Sequence, residues 1–243
     1  IGLPMLDSLK SPSQIAVVEL SSHQLIDLNF SPKVAVLTNF FKEHQDYYQS
    51  TEQYWQAKTQ ITKHQKKNQY LVLNPNTKRM SQLALSSSSI KLFYSQTKYS
   101  HQALLINNKI LQLQDYSIDL SSITHHPSLH IENIAAAVTA LLPYKISSSI
   151  IKTAISTYKG LPHRLQFIGC IAGIYFYNDS LATIPEATIK ALDTLDNNVS
   201  TLILGGYNRQ QTYSKLINKL ILHPSLKHII LLPDTGSIIE SLL

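Results

Sequence analysis

The 243 residues are 44% hydrophobic and 15% charged, a balance typical of globular proteins that excludes an intrinsically disordered chain. The net charge of +6 fits nucleic-acid binding, a site for anionic phosphates or a lysine-rich surface; because the lysines are spread along the chain, we expect no nucleic-acid partner. Cys170 is the only cysteine, which excludes an internal disulfide, and no apolar run is long enough to cross a bilayer.

Short apolar runs alternate with helical segments in the first part of the chain. Ile15–Leu20, Lys33–Thr38 and Tyr70–Leu73 have the composition of buried parallel strands. Between the last two, Ser50 opens a capping-box pattern that predicts a helix reaching about Lys67. Strands separated by helices predict an α/β sheet.

The pattern changes between about Ile90 and Leu113, where short strands flank the hairpin signal Asn107-Asn108. We therefore expect a small antiparallel segment there. Helices are predicted at Ile131–Leu142 and Ser147–Tyr158, the second of which is stopped by Gly160. Loops are predicted at Ser86–Ser89 and Thr124–Pro127.

After Gly160 the alternation of strands and helices starts again. The predicted elements are strands at Leu165–Cys170 and Ile174–Tyr177 around an Ala172-Gly173 turn, a helix from about Pro185, a strand at Thr201–Leu204, a helix near Tyr213–Leu222 and a strand at His228–Leu232. This order predicts a second α/β unit. We place the boundary near Gly160-Leu161, which gives units of residues 1–160 and 161–243.

Three segments of the first unit carry polar side chains where a strand ends or a loop begins, the usual place for sites in open α/β sheets. Glu19 ends the first predicted strand and could hold Mg²⁺, or it could simply precede a serine turn. The loop Asn39–Asp46 contains Glu43 and His44, although a loop histidine is more often exposed. Lys58 lies in a predicted helix, where a solvated lysine is the plain alternative.

A fourth candidate region joins Gly160–Arg164 to Asn178–Thr183. An arginine at a junction between units can bind phosphate through two parallel hydrogen bonds. Asp179, after a predicted strand, could hold a ribose hydroxyl or a metal ion. Several polar side chains at one strand end favour a functional interpretation here.

Taken together, these segments resemble the Mur ligase family, most closely its D-glutamate-adding branch. The resemblance implies a P-loop NTPase-like central domain in residues 1–160, truncated at its N-terminus, and a Rossmann-like C-terminal domain in residues 161–243, truncated at its C-terminus. Eight segments follow the family's order: Ile1–Pro4, Glu19–Leu25, Asn39–Asp46, Gln56–Lys58, Asn133–Ala137, Gly160–Arg164, Asn178–Thr183 with Pro185–Thr188, and Gly205-Gly206.

The resemblance implies a monomeric cytoplasmic ligase that uses ATP and Mg²⁺ to add D-glutamate to UDP-N-acetylmuramoyl-L-alanine through an acyl phosphate. A carbamate on Lys58 would turn a cation into an oxygen ligand suited to Mg²⁺. By family position, the catalytic and metal set is Glu19, His44 and Lys58, the nucleotide set is Asn133, Arg164 and Asp179, and the substrate set is Ser180, Thr183 and Arg209.

The sequence departs from the family in several places. No G-x-x-x-x-G-K-[ST] phosphate loop occurs, so we expect an internal fragment that is inactive alone. Leu129-His130 replaces the usual His-Asn, Leu181 stands where lysine is common, and Arg209 replaces the usual lysine. Two alternatives stay open: another Mur or folylpolyglutamate synthase-like ligase, and a nucleotide-binding module without catalysis. A zinc site on the remaining histidines is not expected.

Overall fold

The computed structural model describes residues 15–44, 46–95, 103–107, 110–113, 116–121 and 130–243. The predictions for Ile1–Pro4, Asn108, Thr124–Pro127 and Leu129 lie outside these residues. The helices are α1 (Ser22–Leu25), α2 (Thr51–Lys63), α3 (Lys78–Ser86), α4 (Ile131–Leu141), α5 (Ser148–Ser156), α6 (Pro185–Leu195), α7 (Ser214–Ile221) and α8 (Thr235–Glu240). In the part of the chain described, no helix combines the length and apolar character that crossing a membrane requires.

The strands form one large sheet and two small ones. They are β1 (Val34–Leu37), β2 (Tyr70–Leu73), β3 (Ile90–Ser95), β4 (Ala103–Asn107), β5 (Ile110–Leu113), β6 (Tyr116–Asp119), β7 (Gln166–Ile171), β8 (Ile174–Asn178), β9 (Thr201–Gly206) and β10 (His228–Asp234). The large sheet follows the order β1 to β6. Strands β1 to β4 are parallel, whereas β4, β5 and β6 are antiparallel. The predicted antiparallel segment is therefore confirmed from β4 onward, as an extension of the main sheet, whereas its first part, Ile90–Ser95, is a parallel strand of that sheet.

Strand β2 is covered on both faces, as expected for a strand inside a parallel sheet. Successive side chains of a strand point to opposite faces. Leu71 and Leu73 pack with Met80 of α3, while Val72 joins the cluster that contains Ala135 of α4. The sheet thus lies between a layer with α2 and α3 and a layer with α4 and α5.

Helix α2 begins as predicted but ends earlier. The Ser50 hydroxyl accepts a hydrogen bond from the Gln53 amide at 3.2 Å, which caps the first turn. The Gln53 side chain accepts from the Gln49 amide at 3.0 Å, so the reciprocal bond of the capping box goes to Gln49. The helix ends at Lys63, short of the predicted Lys67. After it, the buried Gln65 side chain donates to the carbonyl of Tyr70 at 2.7 Å and ties the turn to β2.

The predicted strand at Ile15–Leu20 is wrong. These residues lie outside every sheet, and Val17 is 95% exposed. A buried parallel strand needs cover on both faces, and this run does not have it. The run leads into α1 instead, where Ser21 and Gln24 form a reciprocal capping box with bonds of 3.3 Å and 2.9 Å.

The second unit contains two separate sheets of two strands each. Strands β7 and β8 form an antiparallel hairpin that turns at Ala172 and Gly173, both with positive φ. Strands β9 and β10 are parallel and are joined by α7, which is the predicted βαβ order. Among the described residues β8 does not pair with β9, so the hairpin and the parallel pair remain separate sheets. The main core packs Leu192 of α6, Leu216 of α7 and Ile239 of α8.

Two leucine-to-alanine substitutions test the importance of β2. Leu71 is 0% exposed, whereas Leu85 on α3 is 86% exposed. We expect Leu71→Ala to lower the free energy of unfolding by about 2–5 kcal/mol, because the buried cavity cannot fully collapse. Leu85→Ala should change it by less than about 0.5 kcal/mol. Urea unfolding followed by the fluorescence of Trp55, which packs against the same cluster, measures both. Equal losses would contradict the assigned core.

Candidate functional site

The loop that follows β1 holds His44 in a left-handed backbone conformation with φ 56. Its ring lies edge-on to His23 and to Tyr54 of α2, with centroid distances of 5.4 Å and 5.6 Å. Burial lowers the pKa of His44, Glu43 opposes the shift, and His23 and Arg209 add to it. The neutral imidazole, which is the form that can bind a metal ion, is therefore favoured.

Lys58 projects from α2 into the same region. Burial lowers the pKa of its amine, while the carboxylates of Glu43 and then Glu19 oppose the shift. Its Nζ atom also lies 5.6 Å from the centroid of the Tyr54 ring. The structure thus brings Lys58 within electrostatic range of two acids. A lowered pKa enriches the neutral amine, which is the nucleophilic form that carbamate formation requires.

Arg164 and Asp179 are engaged in hydrogen bonds within the second unit. The Arg164 guanidinium donates to the carbonyl of Leu181 at 3.0 Å. Asp179 Oδ1 accepts from the Leu165 amide at 2.8 Å. Burial raises the pKa of Asp179, although the Leu165 amide and Arg164 oppose the shift. These bonds connect the residues just before β7, which include Arg164, to the residues just after β8, which include Asp179.

A cavity of about 200 Å³ opens at the ends of β8 and β9 and is lined by Ser180, Thr183 and Arg209, the predicted substrate residues. Its size is below the roughly 300–1,000 Å³ of sites for drug-sized ligands and suits a smaller molecule. Gly205 forms part of the wall at φ +138, and a Cβ there would lie 2.6 Å from the carbonyl oxygen of Leu232. A larger depression of about 300 Å³ near α2 and α3 contains none of the predicted residues.

One hydrogen bond joins a side chain of the first unit to Thr183, which lines this cavity. The Thr183 hydroxyl donates to Glu43 Oε1 at 2.9 Å. The Thr183 carbonyl accepts from Gln211 Nε2 at 2.9 Å, next to the segment that carries Arg209. The effect of Arg209 on the pKa of His44 also acts across the units. In the sequence Glu43 stands out only as a neighbour of His44, because no local pattern indicates a partner 140 residues away.

The donor set fits a hydrated magnesium ion better than a fully protein-bound metal. Among the residues described, no three His, Cys, Asp or Glu side chains are grouped closely enough to hold a metal ion by themselves. Magnesium keeps several water ligands and is held by one or two carboxylates together with substrate phosphates. Glu19, which acts on the pKa of Lys58, supplies such an oxygen. Asn133 is exposed on α4, and Ser180 is exposed at the cavity rim, so both are accessible to a ligand.

The buried carboxyl of Asp179 makes a pH-dependent prediction. Because its folded-state pKa is raised, the carboxylate disfavours folding above that pKa, and the effect disappears below the ordinary carboxyl range. Asp179→Asn keeps an acceptor for the Leu165 amide and removes the charge. We expect the variant to unfold at a higher temperature than wild type at pH 7, with the difference shrinking as the pH falls towards 3. Circular dichroism melts at both pH values measure this, and a difference independent of pH would count against it.

Comparison with known proteins places this geometry in a family. The model of the Mur ligase middle domain matches residues 1–141. The UDP-N-acetylmuramoylalanine--D-glutamate ligase of Oenococcus oeni is 36% identical over 239 residues, covering 97% of this chain and 53% of that protein. The enzyme of the same name from Enterococcus faecalis is 34% identical over 220 residues, covering 90% and 48%. The chain therefore spans about half the length of the curated relatives that it matches.

Solved structures share the fold. The MurF ligase from Thermotoga maritima in complex with ADP superposes with a TM-score of 0.63 at 19% identity, covering 86% of this chain and 51% of that one. E. coli FolC in complex with DHPP and ADP superposes with a TM-score of 0.63 at 16% identity, covering 87% and 51%. The predicted α/β fold is confirmed by this similarity. With more than half of its residues matched by the middle-domain model, the chain belongs to the Mur ligase family.

Proposed function

We propose that the chain forms part of an ATP-dependent ligase that adds D-glutamate to UDP-N-acetylmuramoyl-L-alanine. The observation that carries the proposal is the meeting of two candidate sets at one place. Glu43, which lies beside His44 and acts on the pKa of Lys58, bonds Thr183, and Arg209 acts on the pKa of His44. The match to the Oenococcus oeni D-glutamate ligase, at 36% identity, covers 97% of the chain and supports the proposal.

The first unit supplies the metal and phosphate side of the proposed site. Glu19, His44 and a carbamylated Lys58 would hold Mg²⁺. When bound, the ion stabilises negative charge on the phosphate oxygens of ATP. Burial of Lys58 favours the neutral amine that can take up carbon dioxide, and the neutral imidazole of His44 leaves a nitrogen free to coordinate.

The second unit supplies the nucleotide and amino-acid contacts. Arg164, just before β7, and Asp179, just after β8, reach the nucleotide together with Asn133 of α4. Arg209 pairs with a carboxylate of D-glutamate, for which an arginine offers two parallel hydrogen bonds. Thr183 and Ser180 line the cavity of about 200 Å³ that receives the amino acid. Residues 1–160 and 161–243 act as the two units that close on the substrates.

The proposed reaction has two balanced steps. The substrate carboxylate attacks the γ-phosphorus of ATP, which forms an acyl phosphate and releases ADP. The amine of D-glutamate then attacks the acyl carbon, so that an amide forms, phosphate leaves and the amine loses a proton. The two units contribute by holding the reacting groups in position and by excluding water.

The test is an ADP-release assay on the complete gene product that contains residues 1–243. We expect release that requires both D-glutamate and UDP-N-acetylmuramoyl-L-alanine, with formation of the corresponding amide by mass spectrometry. Absence of ADP release with both substrates present would overturn the proposal.

A second candidate is a ligase of the same architecture with another acceptor. It is favoured by the structural similarity to E. coli FolC, which is as close in TM-score as the similarity to MurF. Parallel assays with L-alanine, a diamino acid, and L-glutamate with a folate distinguish the two. Preference for one of these over D-glutamate would transfer the assignment to the second candidate.

Substitutions of Lys58 separate carbamate chemistry from positive charge. Lys58→Ala should lower kcat of the complete gene product by at least about 10²-fold, because an oxygen ligand at the metal is lost. Lys58→Arg keeps the cation but cannot form the carbamate, and it should be equally impaired. Lys63→Ala, at the end of the same helix, is the matched control and should retain most of the activity. Full activity of Lys58→Arg would show that the residue acts as a cation.

A further inference from the structure

Glu43 contacts two candidate residues that belong to different units. Its Oε1 atom accepts the hydroxyl of Thr183 at 2.9 Å. Its Oε2 atom lies 3.9 Å from Nε2 of His44, the next residue in the chain. The side chain is only 21% exposed, so water competes weakly for these oxygens. One carboxylate therefore spans the gap between the candidate metal ligand and the candidate substrate cavity.

The contact continues into the segment after β9. Gln211 donates to the Thr183 carbonyl at 2.9 Å, so Thr183 is held through both its hydroxyl and its backbone. Gln211 lies two residues after Arg209, and both side chains line the cavity. Glu43 is thus linked through Thr183 to the segment that carries Arg209.

We propose that Glu43 is a positioning residue that holds the second unit against the first, so that Thr183 and Arg209 face His44 and Lys58. The inference deepens the proposed function. The expected effect on catalysis rests on that function, whereas the role of Glu43 in holding the units together rests on the hydrogen bond to Thr183. In this arrangement Glu43 does not touch substrate. It acts through Thr183, whose hydroxyl it orients towards the loop after β1.

The chemistry of the bond defines the diagnostic variants. The Thr183 hydroxyl is the donor, so the amide oxygen of Glu43→Gln can still accept it, whereas Glu43→Ala cannot. Thr183→Ser keeps the donor, and Thr183→Val removes it at nearly constant volume. Glu52→Ala is the matched control, because Glu52 bonds Arg79 at 2.7 Å within the first unit.

The structural test measures the distance between the units in the 243-residue chain. One nitroxide label is attached to the exposed Cys170 of β7 and a second to a Gln82→Cys variant on α3. Double electron–electron resonance should give a narrow distribution for the otherwise unchanged chain, for Glu43→Gln and for Glu52→Ala. Glu43→Ala should broaden and shift it. An unshifted distribution in Glu43→Ala would overturn the proposal.

Thr183→Val and Thr183→Ser give an independent structural check. Thr183→Val should reproduce the broadening of Glu43→Ala, while Thr183→Ser should not. Circular dichroism of each labelled variant confirms that the units remain folded. If Thr183→Val keeps the narrow distribution, the hydroxyl does not hold the units together and the proposal is wrong.

The kinetic test uses the complete gene product. Glu43→Ala should raise KM for D-glutamate about tenfold, the size expected from losing one hydrogen bond to a charged group, with a smaller change in kcat. Glu43→Gln should recover most of this loss. Adding Glu43→Ala to Thr183→Val should cause no further loss, because Glu43 acts through Thr183. Additive losses would overturn this. A wild-type enzyme without D-glutamate dependence would reject the proposed function, and the distance measurement would still decide the role of Glu43.

Discussion

The complete burial of β2 is the constraint on which the candidate site depends. Leu71, Val72 and Leu73 are each 0% exposed, and they hold two helical layers against the sheet. Strand β1 pairs with β2 residue by residue, so the point at which the chain leaves β1 is fixed. The loop with His44 starts there. Helix α2 packs on the same core through Trp55 and Ile61, and this packing sets the height at which Lys58 emerges.

The charges of the two units complement each other across the region where they meet. The first unit contributes the carboxylates of Glu19 and Glu43 together with a buried amine whose pKa is lowered. The second unit contributes Arg209 and the hydroxyl of Thr183. The Glu43 side chain is only 21% exposed, so water competes weakly for its hydrogen bond with Thr183.

Local sequence patterns predicted most of the elements, because apolar runs and serine caps depend only on residues that are close in sequence. Strands β1 and β2 and helices α4 and α6 lie where these patterns place them. The strand prediction at Ile15–Leu20 failed because composition shows only that a run is apolar. It does not show whether other elements cover that run. Helix α3 was missed, although Thr77 caps it with a bond of 3.3 Å to the Met80 amide.

The site residues were predicted by type and position in the family pattern, and their spatial relations were not. The bond between Glu43 and Thr183 joins side chains separated by 140 positions, which no periodicity encodes. Likewise, the bonds of Arg164 to Leu181 and of Asp179 to Leu165 arise only when the entry to β7 folds back on the end of β8. Such relations depend on tertiary packing, and a sequence without aligned relatives does not reveal them.

The left-handed backbone of His44 limits which residues evolution or an experimenter can place there. At φ 56 a β-branched side chain clashes with its own backbone, whereas asparagine and glycine adopt this conformation readily. If His44→Val were inactive, the loss of the imidazole could not be separated from a displacement of the loop that also carries Glu43. Asparagine is the replacement that removes the ring while respecting the fold. The backbone conformation of His44 thus determines which substitutions can report on its side chain alone.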